Sequence, residues 1–273
     1  MNMKDKRVSD GYISKEKNDI HYSRDYRYLS RGGISYFFQF LFVIIPVTVI
    51  YLLSYEKISY FVAKYSAKYI GLFTGQEVDI LKSNYLPKFG DVYYVSLEGK
   101  NPSFTLAFFS FVITLMLIIL FSLMKTDKKP LLIFITIGLY IHAFSSLYFL
   151  LFKEKFPYDL TGYSELYLKH QIIIWLLIMV TYWLTTSLIT KMIFYRFLTF
   201  ILLIISEGIF GFVRYVLYIT FLAKCSYLFM AVLYFTFGFL FDFMIMVGFY
   251  SIYVKKASSK FSAKDGGGLW KWS

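Results

Sequence analysis

A single cysteine, Cys225, excludes an internal disulfide and a cysteine-based metal site. Three histidines, four asparagines and three glutamines leave few side chains for nucleophilic or metal chemistry. Only 17% of the 273 residues are charged, against about 25% in an ordinary globular chain. No Gly-rich phosphate loop, His-Glu-x-x-His or Gly-x-Ser-x-Gly is present. What is abundant is apolar: 58% of residues are hydrophobic and 22% aromatic. This composition excludes a soluble enzyme, a secreted disulfide scaffold and a nucleic-acid reader as descriptions of the whole chain.

The apolar residues fall in runs of about 20 or more, the length that crosses a bilayer's hydrocarbon core. Six spans are predicted, at 34–53, 104–123, 131–152, 171–190, 197–222 and 227–253. Pro102 and Pro130 stand at the starts of the second and third, where a missing N–H costs nothing. Pro46 lies inside the first and should kink it. The first run begins after more than thirty polar residues and is too long for a cleaved signal peptide. In residues 55–73, Ile58, Phe61, Val62, Tyr65 and Tyr69 share one helical face, away from Lys57, Lys64 and Lys68. That spacing predicts a separate amphipathic helix in the outer interface. A polar segment follows at 75–101, within which residues 91–97 alternate like a short strand.

The excess of 29 Lys and Arg over 17 Asp and Glu is explained by placement. Eighteen Lys and Arg lie in the two tails and the loops at 125–129 and 191–196. Ten lie in the three opposite loops, offset by eight acids. This asymmetry predicts both termini inside. A nucleic-acid surface would need its charges on one face. The expected organisation is a polar inner tail (1–31), a first transmembrane helix (32–55), an interfacial helix and outer segment (56–101), a five-helix bundle (102–253) and a basic tail (254–273). In that last tail, Gly266 to Gly268 form a flexible joint before Trp270 and Trp272, which suit the headgroup zone.

Charges inside spans are costly and are functional candidates. There are three: Glu207, Arg214 and Asp242. Glu207 and Arg214 are two helical turns apart on one face, and Asp242 falls at the depth of Glu207 on the neighbouring antiparallel helix. The cluster is either an ion path or a buried lock that docks the last two helices. Gly208 and Gly211 favour docking, because they let another helix come close. His142 lies within a span, with Ser145 and Ser146 near enough in sequence to bond it, and His170 is placed at the start of the fourth span. Cys225 sits in the turn between the last two spans with no base adjacent, so it reads as a small half-buried residue rather than a nucleophile.

Residues 60–184 carry a pattern of elements: Phe61 to Gly75, then Glu98-Gly99-Lys100-Asn101, then Ile141 to Tyr148, then Lys169-His170-Gln171. In that order they resemble the exosortase/archaeosortase family, multipass membrane transpeptidases that cut C-terminal sorting signals of exported proteins. The resemblance implies a site shared by the outer ends of three spans. Lys100 stands where that family has its Cys nucleophile, Tyr148 where it has an Arg, and His170 matches its His. A solvated Lys cannot replace a thiolate in acyl transfer, since its ammonium is protonated near neutral pH. The resemblance therefore implies a non-catalytic relative, with Glu98, Lys100, Asn101, His142, Tyr148 and His170 lining an outer pocket for an exported C-terminal segment. Separately, residues 204–211, Phe241-Asp242 and Ser251-Ile252-Tyr253 resemble helices of cytochrome oxidase subunit III.

The sequence thus predicts an all-α polytopic membrane protein, with six transmembrane helices, an outer interfacial amphipathic helix and a small outer polar segment. Its expected role is non-enzymatic: assembly, scaffold or recognition component of a membrane complex. The alternatives are a structural subunit of a respiratory-type complex, and a transporter or channel using Glu207, Arg214 and Asp242. No metal, cofactor or nucleic-acid partner is expected. The bilayer and other membrane subunits are. The membrane is a bacterial or archaeal plasma membrane or, alternatively, the mitochondrial inner membrane.

Overall fold

The computed structural model describes residues 34–86, 89–123, 130–187 and 192–264. The expectations for residues 1–33, the 125–129 loop and the tail beyond 264 lie outside the described residues. In chain order the elements are α1 (Ile34–Thr74), β1 (Asp79–Leu86), β2 (Gly90–Ser96), α2 (Phe104–Leu123), α3 (Pro130–Phe152), α4 (Leu160–Ser187), α5 (Ile193–Lys224) and a composite helix α6. Helix α6 opens with a 3-10 turn at Tyr227–Phe229 and continues as α-helix over Met230–Tyr234. It then widens into a π-helical stretch, Phe235–Leu240, and resumes as α-helix over Phe241–Lys264.

Among the described residues six helices are long and apolar enough to cross a membrane, so the protein is an all-α polytopic membrane protein. Its surface agrees: Phe194 is 82% exposed and Leu123 79%, a placement that water would penalise and lipid does not. At about 1.5 Å per residue, α2 spans about 30 Å, a single hydrocarbon thickness. The 41-residue α1 is about 60 Å long, and α4 and α5 reach about 42 and 48 Å.

The surplus length of these helices packs on the strand hairpin. Strands β1 and β2 pair antiparallel, with Asp79 opposite Ser96 and Lys82 opposite Tyr93. Val92, Tyr94 and Val95 of β2 are buried in a core that includes Tyr55, Val62 and Ile70 of α1, Leu160 and Tyr163 of α4, and Tyr215 and Ile219 of α5. The unpaired edge of β2 is satisfied by helix side chains. Tyr93 N–H donates to Ser59 Oγ at 3.2 Å, and Val95 N–H to the Tyr215 hydroxyl at 3.0 Å. Tyr55 donates its hydroxyl proton to the Gly90 carbonyl. A buried strand edge without such partners would leave unpaired backbone groups. A second core joins α1, α4, α5 and α6 towards the chain termini, around Ile44, Met179, Trp183, Phe200 and Met246.

Two boundaries differ from the sequence expectation. The segment 55–73 is not a separate interfacial helix; it is the far half of α1, which ends only at Gly75 (φ +72°), whose N–H bonds the Gly71 carbonyl at 2.8 Å. Its buried side carries Tyr55, Val62 and Ile70 against β2 and α5, whereas Phe61, Tyr65 and Tyr69 of the predicted stripe are exposed. Helix α4 starts at Leu160, about ten residues before the predicted span. Asp159 caps it, its carboxylate accepting the Gly162 N–H at 2.6 Å, and the charges that suggested a loop form an i,i+4 pair, Glu165–Lys169, at 2.5 Å. The strand expected at 91–97 exists as β2, whereas its partner β1 was not foreseen.

Candidate functional site

Midway along the bundle, α4, α5 and α6 meet at a group of buried polar side chains. Asp242 is fully buried, and Gln171, Glu207 and Arg214 are each less than a tenth exposed. Arg214 sits about 32 Å, and Glu207 about 21 Å, along α5 from its start.

Arg214 is held from three directions. Its Nε donates to the Phe210 carbonyl on its own helix at 3.3 Å. Its Nη1 donates to the carbonyls of Phe237 and Gly238, each at 3.0 Å, both in the π-helical stretch of α6. Its Nη2 donates to Asp242 Oδ1 in a buried ion pair. The Phe237 carbonyl also accepts the Tyr218 hydroxyl at 2.7 Å. A π turn departs from the regular hydrogen-bond ladder, and a carbonyl has two lone pairs, so these oxygens can serve a guanidinium. Asp242 completes its own bonding through Oδ2, which accepts the Gln171 amide N–H at 2.9 Å. The chain keeps Arg214 charged in an apolar interior by giving it a carboxylate and a carbonyl cage together.

Glu207 differs. Its carboxyl stands beside that of Asp242, yet neither of its oxygens makes a hydrogen bond of normal geometry. It is Asp242, and not Glu207, that pairs with Arg214. The two glycines of this face also separate. A Cβ on Gly211 would lie 2.5 Å from Trp175 Cζ2, so Gly211 does admit close packing of α4. A Cβ on Gly208 would meet nothing within 4 Å, so that residue opens onto space and not onto a helix.

The outer-pocket residues are spread over the β2–α2 connection, α3 and α4. Glu98, Lys100 and Asn101 are exposed in the connection between β2 and α2. The Lys100 carbonyl accepts the Tyr227 N–H at 3.0 Å. Tyr148 packs on Phe156 with ring centroids 6.2 Å apart, and Phe156 in turn lies 6.3 Å from Tyr227. Lys100 and Tyr148 therefore share one neighbourhood. His170 lies about 15 Å along α4 from Leu160, edge-on to Tyr234, with Nδ1 bonded to the Leu166 carbonyl at 2.8 Å, and Tyr234 lines one pocket with Phe156. Because α4 begins at Leu160, His170 is in the third turn of its helix and not at the start. Glu98 lines an open polar cleft of about 630 Å³ with Glu77, Asp79 and Asp159.

His142 is bonded by Ser110 of α2, at 2.7 Å to Nε2, and stacks on Phe229. Of the serines near it in sequence, Ser145 turns elsewhere and donates to the Leu228 carbonyl at 2.8 Å, and the buried Ser146 hydroxyl makes no bond to it. Cys225 is exposed and caps α5 through its backbone N–H, at 2.8 Å from the Phe221 carbonyl. Cys225→Ser is expected to leave folding and function unchanged, measured by expression level and melting temperature. Loss of function at normal expression would make this turn the chemical site.

Sequence reasoning missed three buried contributors. Gln171 stands at the predicted span boundary, where an amide opening an apolar run is the signal. Arg196, which the sequence places in a loop, is fully buried in α5 with its guanidinium 5.6 Å from the Trp183 ring. The π-helical carbonyls had no sequence signal. Among the described residues no group of three or more His, Cys, Asp or Glu is arranged to hold a metal. Compared with known protein families, curated proteins and solved structures, the chain matches none, so what stands is a six-helix polytopic membrane protein with a buried Arg214–Asp242–Gln171 network.

Proposed function

We propose that this protein is a non-enzymatic assembly or recognition component of a membrane complex, and that the Arg214–Asp242–Gln171 network is a lock that fixes α4, α5 and α6 in one arrangement. The observation that carries this reading is the saturation of Arg214: a carboxylate and three carbonyls hold it, and Asp242 has both oxygens engaged. A group so fully bonded favours one geometry over alternation between two. The body so fixed would present two surfaces to partners: the lipid-facing flank of α2, and the exposed Glu98–Asn101 connection, to which an exported C-terminal segment would come in an exosortase-like arrangement. Purification in mild detergent tests the reading. A stable stoichiometric complex with another membrane protein is expected, and a protein that stays monomeric and captures no exported C-terminal peptide contradicts it.

A second reading, a transporter, draws on Glu207, a buried carboxyl without a donor next to Asp242. A respiratory-type subunit remains the structural variant of the first reading. In the proposed orientation, with both termini inside, the strand hairpin lies outside. Single cysteines introduced at Asn84 and Lys128 should then react with a membrane-impermeant thiol reagent from opposite sides, Asn84 from outside. Labelling of Lys128→Cys from outside would reverse the orientation and remove exported segments as ligands.

A further inference from the structure

The hairpin has one satisfied edge and one open edge. Tyr93 and Val95 of β2 turn their N–H groups to Ser59 and Tyr215, away from β1. Bonds alternate along an antiparallel ladder, so β1 pairs with β2 through Asp79, Leu81 and Ser83. The alternate residues, Ile80, Lys82 and Asn84, aim their N–H and C=O groups at the other side. Among the described residues no backbone group bonds to them there. Ile80 and Leu81 on this edge are 37% and 41% exposed. An edge of this kind is a template for another strand. It also stands clear of the spans. Gly90 at the hairpin turn meets Tyr55, about 32 Å along α1, and Val78, just ahead of β1, lies beside Gly71, about 55 Å along. The strand therefore runs beyond one hydrocarbon thickness. At its outer end, the open cleft of about 630 Å³ gathers Glu77, Asp79, Glu98 and Asp159. Among the described residues none of these four carboxylates is in an ion pair.

We propose that β1 is a docking edge for an extended, cationic segment of a partner protein, which adds as a third strand and lays Lys or Arg side chains in the acidic cleft. The unpaired ladder groups select an extended backbone, and the carboxylates without counter-ions select positive charge. Nucleic acid and anionic lipid carry the wrong sign. A second copy of this chain fits less well, because its β1 offers only Lys82, already held by Asp91 at 3.3 Å. The chain's own basic N-terminal tail enters α1 about 55 Å from Gly71, at the other end of the spans. The inference rests on the recognition reading above and gives its ligand a chemistry. Its test uses purified protein and defined peptides, so it can fail while a co-purified complex stands, and the reverse.

The experiment uses the full chain in lipid nanodiscs, where both faces are accessible, and a fluorescent peptide with an alternating Thr-Val core and a Lys-Arg pair at each end. Fluorescence polarisation reads the binding. Saturable binding that weakens with added salt is expected. Methylating the core amides removes the ladder donors and keeps the charge, and should weaken binding about tenfold or more. Replacing the Lys-Arg pairs by Glu should abolish it. On the protein, Ile80→Pro removes an outward N–H and no bond to β2, so the hairpin survives and affinity should fall about tenfold. Glu77→Gln with Glu98→Gln should lower affinity about three- to tenfold, the scale of two exposed ion pairs, and flatten the salt dependence. Melting temperatures separate loss of the edge from loss of the fold, and the methylated peptide decides the matter if Ile80→Pro melts early. Absence of binding, equal binding of the methylated peptide, or undiminished binding to a folded Ile80→Pro protein would each overturn the proposal. A wild-type dimer that Ile80→Pro disperses, with no peptide bound, would assign the edge to a second copy instead.

Discussion

Arg214→Leu is expected to be the most damaging single change in the bundle, lowering stability by about 3–5 kcal/mol. The loss comes from what remains: Asp242, fully buried, keeps the Gln171 amide but loses its counter-charge, and the carbonyls of Phe237 and Gly238 lose their shared donor. An uncompensated carboxylate in an apolar interior is the costly part. Adding Asp242→Asn should therefore restore much of the loss, because the charge is removed while an amide can still bond Gln171. Adding Glu207→Gln to that pair should change little, since Glu207 does not pair with Arg214. Melting in detergent and yield of assembled protein are the readouts. Recovery that requires Glu207→Gln and not Asp242→Asn would assign the ion pair wrongly.

The neighbouring glycines on α5 are expected to respond in opposite ways. At Gly211 the Trp175 ring occupies the space a side chain would need, 2.5 Å from an ideal Cβ, so Gly211→Leu must push α4 from α5. Overpacking of this kind costs about 1–3 kcal/mol and occasionally more. The shift would also be carried to Gln171, one turn from Trp175, and so to the Asp242 bond. Gly208→Leu, three residues away, meets open space and should melt close to wild type. Trimming the obstruction with Trp175→Ala should recover part of the Gly211→Leu loss in a double variant. Equal effects of leucine at both positions would mean that α4 does not press on α5 at Trp175.

The spans were legible because a run of about 20 apolar residues has few other physical uses. The three intramembrane charges were legible for the same reason, as exceptions inside those runs, and Arg214 and Asp242 meet across two helices as their spacing allowed. Their partners were harder to read. A carbonyl oxygen has no letter in the sequence, so the Phe237 and Gly238 contribution depends on a π-helical stretch that composition does not announce. Glu207 and Arg214 share a face, but two turns of rise keep them apart, and proximity in sequence overstated their pairing. The same error moved His142 towards Ser145 and Ser146, when its bond crosses to Ser110 on another helix.

Helix ends were blurred by charge. Glu165 and Lys169 look like a loop until their four-residue spacing and the Asp159 cap are considered together, and the earlier start of α4 puts His170 in its third turn instead of at its opening. In residues 55–73 the amphipathic pattern was real, but an apolar stripe says only that something apolar covers it. Here only Ile58 and Val62 of that stripe are covered; the side of α1 that packs on β2 carries Tyr55, Val62 and Ile70, and Phe61, Tyr65 and Tyr69 stay exposed.

The central claim is that the buried Arg214–Asp242–Gln171 network locks helices and does not conduct. Proton flux into pH-loaded liposomes containing the wild-type or the Glu207→Gln protein, each with its melting temperature, tests it most directly. The account predicts flux at the protein-free background for both, with similar melting. Flux well above background in wild type, abolished in a Glu207→Gln protein that melts like wild type, would contradict it and make the carboxyl pair a transport path.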